Sequence, residues 1–285
     1  MAVRAGREAT LGWLLLFWGT HENKPLAKTE TKVQVKILLS NLGYARGIDG
    51  RISHHARYWH RHLYCSAAVQ THTLQQLNAL IAREDPDVCC FVEIDQGSFT
   101  SAGFDQLSAL YRTNYAQIHL ENKYGPTSPL RSFFLTRGKS NGFMSREPRP
   151  FETLYLDHGI KRLLHKITLA PQLSLFFTHL SLNRNTRQAQ LRHLGELVGH
   201  TPGECVLMGD FNVLRGLKEL QPLLEQTGLT LLNQAHVPTF RFHRRALVLD
   251  LCLCTAQVAR QSQLRIVEQP YSDHAALILD IQDPA

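Results

Sequence analysis

Apolar and polar residues alternate through Val33, Val35, Ile37 and Leu39, and a period of two marks a strand with one buried face. That strand is expected to end at Ser40-Asn41. Leu74, Leu77, Leu80 and Ile81 then recur at helical spacing, Pro86 breaks the helix, and the apolar run Val88 to Ile94 is the next strand. The same reading gives a strand over Leu173 to Leu180 and a helix with Leu191, Leu194, Leu197 and Val198 on one face, closed by Thr201-Pro202-Gly203. A strand from Cys205 to Met208 follows, then a helix carrying Leu217, Leu220, Leu223 and Leu224 with Gly228 as its C-terminal cap. The tail reads as strands at Phe240 to Phe242, Ala246 to Cys254, Gln263 to Val267 and Ala275 to Ile281. Two stretches, Arg46 to Tyr64 and Lys123 to Arg149, break the pattern and read as loops or loosely helical inserts. Strands outnumber helices, and long apolar strands call for sheets buried over a whole face. The expected class is therefore α/β, with two packed sheets and helices outside.

Composition agrees with this picture and narrows it little. With 285 residues, 44% of them hydrophobic, the chain can bury one large core. Its formal charge of +7 points to an anionic partner. Nucleic acid, a phospholipid headgroup and a phosphorylated small molecule all satisfy that charge. Most of the six cysteines sit in or at the start of apolar runs, and no C-x-x-C spacing occurs, which excludes the usual structural zinc pattern. Reduced, buried thiols fit a cytoplasmic protein, and a monomer is expected. At the amino end, Arg4 and Arg7 precede the run Leu11 to Trp18, which has the charge and length of a weak signal peptide but is too short to span a bilayer. Residues 1–31 are read as a leader, with a start-site extension or a membrane-surface anchor as alternatives, and 32–285 as the working domain.

Chemistry-bearing residues collect at strand ends. Asn41 follows Ile37-Leu38-Leu39, Glu93 follows Cys90-Phe91-Val92, and His179 follows the run Leu175-Phe176-Phe177. Asp210 and Asn212 follow Val206-Leu207-Met208, Asp250 follows Ala246 to Leu249, and Asp273-His274 precede Ala275 to Leu279. A carboxylate embedded in an apolar strand is too costly to leave unpaired, and a bound cation would offset that cost. Any one of these positions could be a capped turn. Their accumulation in one domain points to a site.

At these residues the chain resembles the endonuclease/exonuclease/phosphatase superfamily. Gly209-Asp210-Phe211-Asn212 and Ser272-Asp273-His274 are similar to two of its signature motifs. Asn41, Val92-Glu93-Ile94, Thr178-His179-Leu180, Arg187-Gln188-Ala189-Gln190-Leu191, Pro238-Thr239-Phe240 and Leu249-Asp250-Leu251 recur in the family's order, over roughly residues 33 to 282. The resemblance implies a four-layer α-β-β-α sandwich of two packed mixed β-sheets and a phosphoesterase that uses Mg²⁺, with Mn²⁺ as a substitute. Glu93 would ligate the metal, Asn41 would orient that carboxylate or share the metal, and Asp273 would serve the metal or a second-metal position. Asp210 would activate water, Asn212 would donate to the transition state, and His274, its ring held by Asp250, would contact the phosphate. His179 stands where relatives carry a phosphate-contacting His or Tyr. The implied substrate is a phosphate ester, nucleic acid first and a phospholipid or inositol phosphate second. An inactive binding module is the remaining alternative, and filled motif positions speak against it.

Two decoys fall away. Arg137-Gly138-Lys139-Ser140 looks like the end of a P-loop, but Phe133 stands where the first glycine is needed. No G-x-S-x-G elbow occurs, so a serine hydrolase has no support. Asn141 to Arg146 resembles the family's central strand. The two inserts supply Arg51, Arg57, Arg131, Lys139 and Asn141 as candidate substrate-binding residues. The segment from Arg51 to His62 reads either as a substrate clamp, with Tyr58 and Trp59 for stacking, or as a solvated helix face.

Overall fold

The computed structural model describes residues 34–110 and 114–282; the leader read over 1–31 lies outside them. β1 (Val35–Asn41) turns Val35, Ile37 and Leu39 to one side and Leu38 to the other. A short α1 (Ile52–Tyr58) and a 3-10 turn over Trp59–His62 occupy the first insert, in line with its loosely helical reading. α2 (Ala67–Glu84) then carries the chain to β2 (Val88–Asp95), which lies parallel to β1 with Ile37 opposite Val88 and Asn41 opposite Val92. Asp85, left-handed at φ 52°, donates its N–H to Ile81 and stops α2 just before Pro86.

After α3 (Gln106–Leu110) come β3 (Gln117–Asn122) and β4 (Lys139–Ser145); β4 pairs antiparallel with β2, and β3 pairs antiparallel with β4. β4 corrects the insert reading for the second part of Lys123 to Arg149 and agrees with the resemblance of Asn141 to Arg146 to the family's central strand. It lies between β2 and β3 in the sheet, every residue of it buried. Its residues Lys139, Ser140 and Asn141 find polar partners inside, which is why a strand rich in polar and small residues is stable there.

The second sheet repeats the plan. β5 (Phe151–Tyr155), β6 (Leu163–Ala170) and β7 (Leu173–His179) form an antiparallel meander. α4 (Arg184–Gly199) crosses over to β8 (Glu204–Asp210), which is parallel to β7. A 3-10 turn at Leu217–Leu220 leads into α5 (Gln221–Thr227), capped by Gly228 in the left-handed conformation as the sequence indicates. β9 (Thr230–Leu231) closes one edge. The stretch read as one strand from Ala246 to Cys254 is two. β10 (Phe240–Phe242) and β11 (Arg245–Leu247) form a separate hairpin, and β12 (Asp250–Cys254) pairs with β8. The break falls at Val248-Leu249, where Thr239 Oγ1 accepts the N–H groups of Leu249 and Asp250. α6 (Ala256–Arg260), β13 (Ser262–Val267) and β14 (Ala276–Ile281) return to the first sheet.

The result is two mixed six-stranded sheets, ordered β13-β14-β1-β2-β4-β3 and β5-β6-β7-β8-β12-β9. One apolar core lies between them, with Ile37, Leu39, Cys90 and Val92 meeting Phe177, Val206, Met208 and Cys252. A second core packs the first sheet on α2 and α3, and a third packs the other sheet on α4 and α5. This is the expected four-layer α-β-β-α sandwich. All six cysteines are buried. Among the described residues no helix is long and apolar enough to cross a membrane.

Candidate active site

The phase of the strands builds the site. Asn41 continues the inward series of Ile37 and Leu39, His179 that of Leu175 and Phe177, and Asp210 that of Val206 and Met208; Asp250 precedes Cys252 and Cys254. Side chains two apart share a face, so all four polar groups fall at one end of the inter-sheet core. His179 and Asp210 are register partners across the parallel β7–β8 pair, and Asp250 and Asp210 across β12–β8. All four are buried.

Glu93 is out of phase. Cys89 and Phe91 face the helix layer, and strict alternation would send Glu93 with them. The β2–β4 register slips between Phe91 and Ile94, Glu93 takes φ 55°, and Ile94 moves to the helix side. This bulge turns the Glu93 carboxylate towards His179, at 3.8 Å from Nδ1. A left-handed glutamate costs roughly 1–3 kcal/mol. Asn141 Oδ1 holds the bulge by accepting the Glu93 N–H at 3.2 Å. Asn212 is likewise left-handed, at φ 51°. It donates its N–H to Asp210 Oδ1 and its side-chain amide to the Leu180 carbonyl.

Asp210 is the hub. Asn41 Nδ2 donates to its Oδ2 at 3.2 Å, and His179 Nε2 lies 3.3 Å from the same oxygen. Burial pushes its carboxyl up to about 7, with His274 opposing and Asp250 adding to the rise. His274 Nδ1 is 2.7 Å from Asp250 Oδ2. Burial disfavours the imidazolium, yet the charge and hydrogen bond of Asp250, with Asp210 behind them, push its pKa up to about 10. Burial also penalises the Glu93 carboxylate, but Lys161 and Lys123 outweigh it and hold Glu93 well below the usual range. Burial, with Lys161 beside it, keeps His179 neutral.

Ser272 Oγ ties the segment before β14 to the end of β1 by donating to the Asn41 carbonyl, and it accepts the His274 N–H. Asp273 is only partly covered; burial raises its carboxyl, with His274 opposing. Asn41, Glu93, His179, Asp210, Asn212, Asp250 and His274 thus form one cluster, with Asn141 supporting Glu93. The other candidate substrate-binding residues have partners of their own. Arg51 is exposed and ion-paired to Asp49 at 2.6 Å. Arg57 is exposed and lies over the Tyr58 ring. Arg131 pairs with Glu121 at 2.8 Å. Lys139 is buried, donates to Thr100 Oγ1, sits 3.5 Å from Asp95 and lies over the Tyr44 ring.

Sequence reasoning missed Lys123 and Lys161. Lys161 Nζ lies 2.7 Å from His179 Nε2 and 3.5 Å from Glu93 Oε1. Lys123 Nζ is 3.7 Å from the same oxygen and donates to the Tyr44 hydroxyl. Burial pushes Lys123 down to about 7 against the pull of Glu93. Lys161 stands two residues before the apolar start of β6, much as Asp273-His274 stand before Ala275 to Leu279, and so carried a usable signal. Lys123 follows β3 in a polar stretch and carried none.

The donor chemistry fits a hard divalent ion: carboxylate and amide oxygens with no thiolate nearby. Asp210, Asp250 and His274 offer ligand atoms within 4.8 Å of one another, and Asp250 Oδ1 is buried with no hydrogen-bond partner among the described residues. His274 is a poor ligand at neutral pH, since its raised pKa keeps it protonated. The ionised Glu93 is the better anchor.

No curated protein sequence matches the chain. Solved structures do. An endonuclease/exonuclease/phosphatase from Beutenbergia cavernae DSM 12333 matches with TM-score 0.62 at 17% identity, over 88% of this chain and 72% of that one. Truncated Caenorhabditis elegans TDP2 matches with TM-score 0.60 at 12% identity, over 87% and 97%. ANGEL2, described as a 2',3'-cyclic phosphatase and solved with adenosine-2',3'-vanadate, matches with TM-score 0.60 at 12% identity, over 88% and 96%. The family model for the Endonuclease/Exonuclease/phosphatase family matches residues 67–274, from the start of α2 to the histidine paired with Asp250, and the chain belongs to that family.

Proposed function

We propose that this chain is a divalent-metal-dependent hydrolase of phosphate esters, Mg²⁺ being the natural ion and Mn²⁺ a substitute, with phosphodiester bonds of nucleic acid as the first substrate class. The observation that carries this reading is the buried Asp210 between a neutral His179 and the His274–Asp250 ion pair. Such an arrangement keeps one group able to take a proton near neutral pH and another able to donate hydrogen bonds to a phosphate oxygen. Glu93 would hold the ion, with Asn41 and Asp273 contributing. A bound divalent ion would polarise the phosphate and steady the leaving oxygen. Asp210 would orient and deprotonate the attacking water, and the second proton of the Asn212 amide and the His274 Nε2–H would donate to the phosphate. Asp250 keeps His274 charged and correctly turned. The nucleotide-like ligand named for ANGEL2 and the net charge of +7 support nucleic acid.

A phospholipid reading draws on one observation. Tyr64, Phe99, Phe133 and Phe134 are all exposed, and neighbouring rings in the run lie 4.9–5.9 Å apart. Such a patch suits either a lipid surface or unpaired bases. Purified protein with Mg²⁺ assayed on DNA, RNA, sphingomyelin and phosphoinositides separates the two. Hydrolysis of none of them would remove the proposal.

A further inference from the structure

We propose that Lys123 and Lys161 form a seat for the non-bridging oxygens of a phosphate group, placed so that phosphate and the divalent ion favour each other's binding. The proposal rests on the metal-dependent phosphoesterase reading above. Its starting point is that two ammonium groups converge on a single carboxylate oxygen, Oε1 of Glu93, at 3.7 and 3.5 Å. The Lys123 side chain is almost wholly buried and its ammonium is fixed by the Tyr44 hydroxyl, whose ring also lies beneath it at 4.8 Å.

The backbone is built to bring the pair together. Tyr124 and Lys161 form a β-bridge between a loop of the first sheet and a loop of the second, and the Arg162 N–H donates to the Lys123 carbonyl. The Gln190 side chain, fully buried on α4, donates to the carbonyls of Lys161 and His158 at 2.6 and 2.8 Å. This gives the Gln190 of the Arg187 to Leu191 motif a concrete task, since it fixes the loop that carries Lys161.

Without other ligands Glu93 is the counter-ion of both lysines. A divalent ion on Glu93 would stand beside two positive charges with one carboxylate to share, which is unfavourable at such range in a partly buried site. A phosphate group resolves the conflict. Its oxygens take the ammonium protons as charge-assisted acceptors, and Glu93 is released to the ion. Binding of each therefore strengthens binding of the other, by linkage. Lys161 also reaches His179 Nε2, so the seat adjoins the Asp210 hub rather than a remote surface.

Calorimetric titration tests this with inorganic phosphate and with Mn²⁺, each alone and in the presence of the other. The proteins are wild type, Lys161→Met, Lys161→Arg, Lys123→Met and, as a control on the surface of β6, Lys166→Met. Wild type and Lys166→Met should bind phosphate alike, with Mn²⁺ tightening it. Lys161→Met and Lys123→Met should each lose about tenfold or more in phosphate affinity, the scale of a charged hydrogen bond, and the Mn²⁺ enhancement should shrink. Lys161→Arg should keep most of the affinity. Melting curves report whether Lys123→Met folds; the more open Lys161 keeps the test decisive if it does not. Equal phosphate affinity in wild type and Lys161→Met, or no phosphate binding by wild type, overturns the seat. Lysine-dependent phosphate binding without hydrolysis of any ester would support the seat while removing the assigned reaction. Hydrolysis with lysine-independent phosphate binding would do the reverse.

Discussion

His274 Nδ1 sits 2.7 Å from Asp250 Oδ2, an ion pair between the first residue of β12 and a residue just before β14. Both are buried, and the Asp250 N–H and the preceding Leu249 N–H converge on Thr239 Oγ1. The pair therefore has a rigid base. It sets a cation and an anion beside Asp210, with opposite effects on its carboxyl.

Asp210→Asn and His274→Ala should each lower kcat on the true substrate by about two orders of magnitude or more, the scale for losing a general base or a transition-state donor. Their stabilities should part. Asp210→Asn should melt at or above the wild-type temperature, because a carboxylate that burial already disfavours is gone. His274→Ala leaves Asp250 buried without its counter-charge and should lose about 3 kcal/mol or more. Near-normal turnover in both would place the site elsewhere.

The same pair gives a pH signature. The folded pKa of His274 is raised to about 10, above the 6.5 of a free imidazole. Its contribution to stability is then fully present below about pH 6.5 and is lost as pH rises through about 10. In chelator, the melting-temperature gap between wild type and His274→Asn should be widest on the acid side and should close towards pH 10. A gap that stays constant over that range would contradict the pairing.

Metal dependence is the plainest expectation. Glu93 is held ionised by its lysines, and hard oxygen donors without thiolates favour Mg²⁺ or Mn²⁺. Hydrolysis should disappear in excess EDTA and return when either ion is restored. Full activity in chelator would count against the role given to Glu93.

Much of this site was legible in the chain because strand phase is written in alternation. Asn41, His179, Asp210 and Asp250 simply extend buried series, so their convergence follows once the strands are correctly paired. Glu93 was found from its position after an apolar run, but alternation alone would have pointed it at the helices; only the β2–β4 bulge explains its direction, and a bulge leaves no periodic trace. Periodicity missed β4 because its buried polar residues read as loop, and only the resemblance of Asn141 to Arg146 to the family's central strand pointed to it. Lys139 looked like a free cation, yet Asp95, Thr100 and the Tyr44 ring absorb it. Those contacts join residues far apart in sequence, which local pattern cannot reveal.

Gly209 tests the close packing of the parallel pair that carries His179 and Asp210. A Cβ there would lie 2.1 Å from the Thr178 carbonyl oxygen. Backbone on both sides cannot give way, so Gly209→Ala should lose roughly 1–3 kcal/mol or more, as overpacked cores do, and activity should fall with it because Asp210 is the next residue. Thermal melts and kinetics on the soluble fraction would show this, and an unaffected melting temperature would mean that the β7–β8 spacing is looser than described.

The last expectation concerns how a long anion would reach the site. Arg57 and Arg137 are exposed, and Arg137 stands among the aromatic residues Tyr64, Phe99 and Phe134. If the substrate is a polynucleotide, both should contact phosphates away from the reacting bond. Replacing both by alanine would then raise KM and leave kcat nearly unchanged, because such contacts bind substrate and transition state equally. Each lost contact should also remove about 0.9 from the slope of log affinity against log salt on duplex DNA, so the double variant should show a visibly flatter salt dependence. A small phosphate ester would be indifferent to both changes. Steady-state kinetics from low to moderate salt on a polynucleotide and on a mononucleotide ester decides the matter. A KM that stays at the wild-type value at every salt concentration on both would make these arginines ordinary surface, and the net positive charge would then say nothing about the substrate.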